Sequence, residues 1–325
     1  MMNVFCDDGS TNVKLAWHDK KGLQGSVSAN SFRAGWKVEG MGSRQTFNYA
    51  LDGKKYTYDE VSADAINTTH IEYQYSDVNV LAVHHALLNS GLAPQTVSLT
   101  VTLPISEFYT PECQKNTVNI SRKVENLMRP VVLNKGEVFC IESVTVMPES
   151  LPAVFTRLVE DQVGPFEKSL VIDLGGTTLD VGVIVGQFED VTHIHGNASI
   201  GVSMVTQAAL SALKMASSDT SARVADELII RRNQPDFVKQ VVNDESKKAF
   251  VIETIEASIA RLGERVVDEL ADFKHVNRIY IVGGGAPLIE KAIKTAWSHL
   301  GNKVVMMASP QTALVQAIAA FKEGE

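Results

Sequence analysis

Two short stretches of this sequence carry the residue types that grip phosphate. "FCDDGSTNVK", Phe5 to Lys14, and "VIDLGGTTLD", Val171 to Asp180, each place an apolar strand before an aspartate and a run of small residues. Small side chains let an anion approach backbone N–H groups, so such a turn is an anion nest. Gly9, Ser10, Thr11 and Asn12 form the first nest, and Gly175, Gly176, Thr177 and Thr178 the second. Asp7 and Asp173 fall at strand ends beside them. A carboxylate next to a phosphate is repelled unless a cation lies between, which points to Mg²⁺ with oxygen ligands and retained waters. Lys14 offers a positive charge to phosphate directly. One D-x-G-S/T stretch also occurs in ordinary hairpin turns. Two copies, each opening half of the chain, fit facing loops around a di- or triphosphate.

Two further features could complete such a site. In "YIVGGGAPLI", Gly283, Gly284 and Gly285 lie between an apolar strand and a helix, where a flat ligand can approach the backbone. The run lacks G-x-G-x-x-G and G-x-x-x-x-G-K-[ST], so it is neither a Rossmann fingerprint nor a P-loop, and a tight strand-to-helix turn is the alternative. In "VMPES", Glu149 ends a strand just before the second cassette. It could orient or deprotonate a water attacking a γ-phosphate, or simply stabilise a helix start.

The elements that must position these residues repeat. The first 20 or so residues read as a hairpin, residues about 23–76 as short strands of an inserted region, and "DVNVLAVHHALLNSG" as a helix stopped by Gly91. "VSLTVTLP" and "ESVTVMPES" are strands, followed by a helix with Ser150 as N-cap and Pro152 in its first turn. The second half restarts as strand, turn, strand, strand, then helices to about residue 274, then strand, glycine turn, helix, strand and helix. Two related α/β domains follow, 1–165 and 166–325. No Pro/Ser-rich linker separates them, so the halves should pack closely.

Composition excludes several classes. The 325 residues are 45% hydrophobic and 21% charged, as in a globular protein. No apolar run is long enough to cross a bilayer, no secretory signal opens the chain, and three scattered cysteines fit a reducing cytoplasm. A net charge of −8 without a dense Lys/Arg run argues against direct nucleic-acid contact. His193 and His195 lack a third metal ligand at suitable spacing, and His84–His85 read as structural.

Two phosphate cassettes, the "MPES-LPA" segment and the late "VGGGA" turn resemble the actin/Hsp70/sugar-kinase superfamily, in order over nearly the whole chain. "DDGSTNVKL", "YSDVNVLAVHHALL", "VMPESLPA", "DLGGTTLDV" and "GVSMVT" most resemble the ParM (StbA) family of actin-like plasmid-segregation ATPases. The resemblance implies an α/β actin-like ATPase fold: two ribonuclease-H-like domains flanking a nucleotide cleft, each with an inserted subdomain, about 23–76 and about 203–274. It implies ATP, with GTP open, and Mg²⁺ held through water by Asp7 and Asp173. Glu149 would promote hydrolysis, with Asp7 and Asp173 beside the reacting phosphate. Gly9, Ser10, Thr11, Asn12, Lys14, Gly175, Gly176, Thr177 and Thr178 would hold the phosphates, and Gly283, Gly284 and Gly285 the adenosine. Purine-facing residues would lie near "ADELIIRRN". The implied partners are further copies of the chain in a head-to-tail filament and a ParR-like adaptor on centromere-like plasmid DNA; neither membrane nor direct nucleic-acid contact is implied. Alternatives are a small-molecule kinase of the same superfamily, with Asp180 as the base, and a cell-shape actin homologue.

Overall fold

The computed structural model of the chain describes residues 1–40 and 45–323. The first half opens with β1 (Met2–Asp8), β2 (Asn12–Asp19) and β3 (Gly22–Ala29), an antiparallel meander. β4 (Phe32–Ala34), β5 (Asn48–Leu51) and β6 (Lys54–Tyr58) come next. The β5–β6 turn is Asp52-Gly53, both at positive φ, as a two-residue hairpin with this chemistry favours. After a 3₁₀ turn, Ile71–Tyr75, α1 (Asp77–Asn89) begins where the Ser76 hydroxyl accepts the Asn79 N–H. β7 (Thr96–Leu103), α2 (Ile105–Phe108), α3 (Thr117–Leu127), β8 (Val132–Leu133) and β9 (Cys140–Pro148) complete the half.

The second half follows α4 (Phe155–Glu160) with β10 (Lys168–Leu174), β11 (Leu179–Val185) and β12 (Asp190–Asn197). Four helices lie before the next strand: α5 (Ser203–Met215), α6 (Ala222–Arg231), α7 (Pro235–Val241) and α8 (Lys248–Glu269). β13 (Arg278–Val282), α9 (Ala286–Ala296), β14 (Val304–Met306) and α10 (Ala313–Glu323) close the chain.

The two large sheets share one design. Their strand orders are β3-β2-β1-β7-β9 and β12-β11-β10-β13-β14. In each, three strands run as an antiparallel meander and two join in parallel. Each sheet has its own core on one face. α1 covers the first, around Leu81, Leu87, Leu99 and Val101; helices α5, α8 and α9 cover the second, around Ile172, Leu213, Leu262 and Ile289. A third apolar cluster joins the halves, with Phe5 and Ala16 of the first sheet, Val171 and Ile184 of the second, and Leu314, Val315 and Ile318 of α10. This shared layer accounts for the missing linker.

Two expectations change. Gly22–Ala29, read as the start of the first insertion, is the third strand of the large sheet, because a turn at Gly22 (φ 96°) folds it back along the whole of β2. The small sheet, in the order β4-β6-β5-β8, therefore begins later and also recruits Val132–Leu133. Ser150 makes no side-chain cap; it sits at φ 72° in a sharp turn into a 3₁₀ segment, Leu151–Val154. Positive φ at a non-glycine residue stores backbone strain, and this one directly follows Glu149.

Candidate functional site: a cleft between two equivalent hairpins

The hairpins β1–β2 and β10–β11 match residue for residue. Asp7 lies opposite Lys14 and Asp8 opposite Val13; Asp173 lies opposite Asp180 and Leu174 opposite Leu179. Side chains alternate along a strand, so Asp7 and Asp173 leave their strands on equivalent faces. The two turns meet across the cleft. The Thr177 hydroxyl donates to Ser10 Oγ at 2.8 Å. A Cβ on Gly176 would fall 2.7 Å from Thr11 Cγ2 and 2.9 Å from Ser10 Oγ, so only glycine permits this approach. The second turn is braced from behind, where Val202 and Ser203 donate backbone N–H groups to the Gly175 and Gly176 carbonyls.

The glycine run joins the same cleft. Gly283 (φ 86°) donates its N–H to the Pro310 carbonyl, and a Cβ there would lie 2.2 Å from Asp173 Oδ1. The tripeptide is thus packed against the end of β10, and Gly283, Gly284 and Gly285 all line the cleft. Asp7, Lys14, Glu149 and Asp173 line it too, as do Gly9, Ser10, Thr11, Asn12, Gly175, Gly176, Thr177 and Thr178. Every residue singled out above for phosphate, metal, catalysis or adenosine contact therefore reaches one cavity.

The electrostatics are those of crowded carboxylates. Burial, then Asp180 and Asp7, push Asp173 up to about 7. Burial, then Asp7, Asp180 and Asp173, push Glu149 well above the usual carboxylate range. Burial also raises Asp7, against the pull of Lys14, whose Nζ lies 3.1 Å from Asp7 Oδ2. Burial acts against the charge of Lys14, but Asp7, Glu149 and Asp173 more than offset it and raise its pKa. One lysine thus faces three carboxylates, and a hydrated divalent cation would relieve the excess negative charge. Among the described residues no three His, Cys, Asp or Glu side chains converge closely enough to hold a bare ion. Oxygens of Asp7 and Asp173 on opposite jaws fit a cation that keeps its waters. Asp180 is engaged elsewhere, accepting the Ile105 N–H at 3.1 Å.

Further lining residues come from positions the sequence does not single out one by one: α6 supplies Asp226, Ile229 and Ile230, with Arg232 just beyond it, and the turn before α1 supplies Tyr73 and Gln74. Asp226 is anchored by the Thr206 hydroxyl at 2.5 Å, and burial pushes it up to about 6. A polar residue on the otherwise apolar inner face of α6 was the available signal. Beside the cleft the two inserted regions touch, where the Ser221 hydroxyl donates to the Glu60 carbonyl at 2.5 Å. The histidines serve packing and surface contacts: His85 bonds Tyr49 and Asn89 in the core, and His195 lies 2.7 Å from Glu269.

Matching sheets, joined hairpins and a shared cleft define the two-domain fold of the actin-like ATPases, and the comparisons agree. The chain resembles a 15-stranded ParM filament from Clostridium botulinum at 14% identity, with a TM-score of 0.75, covering 100% of this chain and 99% of that one. It resembles an archaeal actin homologue in complex with ADP at 17% identity, with a TM-score of 0.71 and full coverage of both chains. The actin-like protein Alp7A aligns at 11% identity, with a TM-score of 0.70, over 99% of this chain and 96% of that one. No curated protein sequence matches. The family profile "Plasmid segregation protein ParM, N-terminal" matches residues 2–160, and "Plasmid segregation protein ParM, C-terminal" matches residues 163–321. The chain belongs to the ParM family of plasmid segregation proteins.

Proposed function

We propose that this protein is a nucleoside triphosphatase whose Mg²⁺-dependent ATP binding drives head-to-tail polymerisation and whose hydrolysis loosens the filament, so that growing filaments push plasmid copies apart. The observation that carries the reading is the pair of equivalent turns meeting at Ser10 and Thr177, with Asp7, Asp173 and Glu149 around them. The backbone N–H groups of both turns bind the phosphates, and Lys14 offsets their charge. Asp7 and Asp173 would hold the hydrated Mg²⁺, which would supply charge neutralisation at the phosphate oxygens. Glu149 sits at the end of β9, fixed by its N–H bond to the Leu103 carbonyl and by Thr102 Oγ1 at 3.4 Å from its Oε1. Lining the cleft with Asp7 and Asp173, its carboxylate suits the task of taking a proton from an attacking water. Gly283, Gly284 and Gly285 admit the adenosine. Head-to-tail contacts whose rotation does not close generate open filaments, and the ParM filament among the similar structures supports this output. The net charge of −8 favours contact with centromere-like DNA through a ParR-like adaptor.

Light scattering and pelleting after addition of Mg²⁺ with ATP, GTP or ADP test the reading. Polymer is expected with a triphosphate; phosphoryl transfer to a small alcohol without polymer would overturn it. Glu149→Ala should polymerise but slow phosphate release by about 10²-fold or more, the usual scale of a lost general base. Normal turnover of that variant's polymer removes Glu149 from the chemistry.

A further inference from the structure

The first hairpin carries a feature that the second lacks. Asp8 and Lys123 form an ion pair with both side chains fully buried. The Lys123 ammonium donates to Asp8 Oδ2, to Gln74 Oε1 and to Asn79 Oδ1, the last at 3.1 Å. All three of its protons are used. Asn79 closes the network by donating to Asp8 Oδ2 at 2.7 Å. Asp8 is the last residue of β1, immediately before Gly9. Gln74 also lines the cleft, in the 3₁₀ turn that also presents Tyr73. One ammonium group thus ties the root of the first phosphate loop to the cleft lining at Gln74, from a helix (α3) 115 residues away in sequence.

The fold does not demand this pair. The residue equivalent to Asp8 is Leu174, fully buried in an apolar core, and the second sheet forms the same hairpin with it. Burying two charges is costly against apolar packing, so an ion pair at one of two equivalent positions calls for a local reason. The neighbouring contacts supply one. α3 also holds the 3₁₀ turn through Arg122, which pairs with Glu72 at 3.0 Å and stacks on Tyr75, and through Asn126, which donates to the Ser76 carbonyl at 3.1 Å.

We infer that Lys123 is a positioning residue for nucleotide binding, which sets the first phosphate loop, through Asp8, and the cleft lining, through Gln74, in one fixed relation. The inference rests on the nucleotide-cleft reading above. It predicts that losing the tie weakens binding of ground state and transition state alike, raising KM with little change in kcat, whereas a merely structural loss lowers the active fraction and hence the apparent kcat.

The test replaces the pair by the apolar arrangement of the other hairpin, Asp8→Leu with Lys123→Met, and measures fluorescent ATP binding and steady-state hydrolysis. The expected result is a folded variant with KM raised about tenfold or more and kcat within about twofold of wild type. A folded double variant with wild-type KM overturns the inference. Gln74→Leu, which leaves the ion pair in place, provides a second reading should the double variant not fold: a KM raised about threefold supports the tie, and an unchanged KM overturns it. Wild-type protein that binds no nucleotide would instead overturn the cleft reading itself.

Discussion

The two hairpins share length, register and topology, yet two of the positions at which they differ change the charge, and these divide their labour. Where the first has Lys14 opposite Asp7, the second has Asp180 opposite Asp173. The first jaw is close to charge balance and the second is a carboxylate pair. Where the first has Asp8 tied to helix α3, the second has Leu174 in hydrocarbon. One backbone plan therefore supports a jaw anchored by ions and a jaw anchored by packing. A duplicated scaffold needs only its small-residue turn and its leading aspartate kept; the positions behind them are free to specialise.

The comparison can be broken most severely at Leu174. Leu174→Asp would copy the first hairpin into the second without a lysine to meet it, and an uncompensated buried charge costs about 3–5 kcal/mol. Chemical denaturation should show a loss of that size; a loss below about 1 kcal/mol would mean that the two cores are not as different as described.

A second prediction uses acid. The first half buries His84 and His85, whose pKa values burial lowers to about 4 and about 3 from an ordinary 6.5, with Lys37 adding to the effect at His85. In the second half His193, His275 and His299 are exposed and His195 is on the surface. The buried pair titrates earlier in the unfolded chain, so stability is whole above pH 6.5 and falls as pH drops towards the folded values. Each histidine contributes about 1.4 kcal/mol per pH unit below the unfolded value. Hydrogen exchange at pH 5.5 should show the first half loosening by about 2–3 kcal/mol relative to pH 7.5. Equal loosening of both halves would contradict the assignment. Carboxylates in the cleft titrate nearby, so His85→Phe should remove part of the effect.

The smallest effect is expected where the jaws touch. Gly176→Ala drives a methyl group onto Thr11 and Ser10. Contacts this short force Thr11 and Ser10 to shift, and nucleotide affinity should fall about tenfold, or about 1.4 kcal/mol, by titration calorimetry. Gly175→Ala, whose Cβ would meet nothing nearer than 3.5 Å, is the matched control.

The parts of this site visible in the sequence were those written in local patterns. Each phosphate loop is a strand, an aspartate and a small-residue turn within ten residues, and Gly283 to Gly285 and Glu149 mark strand ends. Asp8 sat in plain view within "DDGS" without declaring its role, because its partner is contributed by a distant helix and no local spacing connects them. Two further lining residues are hidden for the same reason: Gln74 and Asp226 reach the cleft from inserted regions that only the tertiary fold brings together. Gly22–Ala29 was misplaced because exposed and polar residues alternate along it, the pattern of a large sheet's edge strand as much as of a small insertion.

The contact between Ser221 and Glu60 has a consequence for populations. Ser221 Oγ also accepts the Val224 N–H, so parting the two inserted regions would leave its helix cap intact and, at this contact, cost the bond to a main-chain carbonyl. One such bond is worth about 1 kcal/mol, which favours the closed arrangement by only about fivefold. Because the acceptor belongs to the backbone, the bias is indifferent to the side chain at position 60. A clasp this weak adds little to the contacts that already join the halves at Ser10 and Thr177 and in the apolar layer around α10.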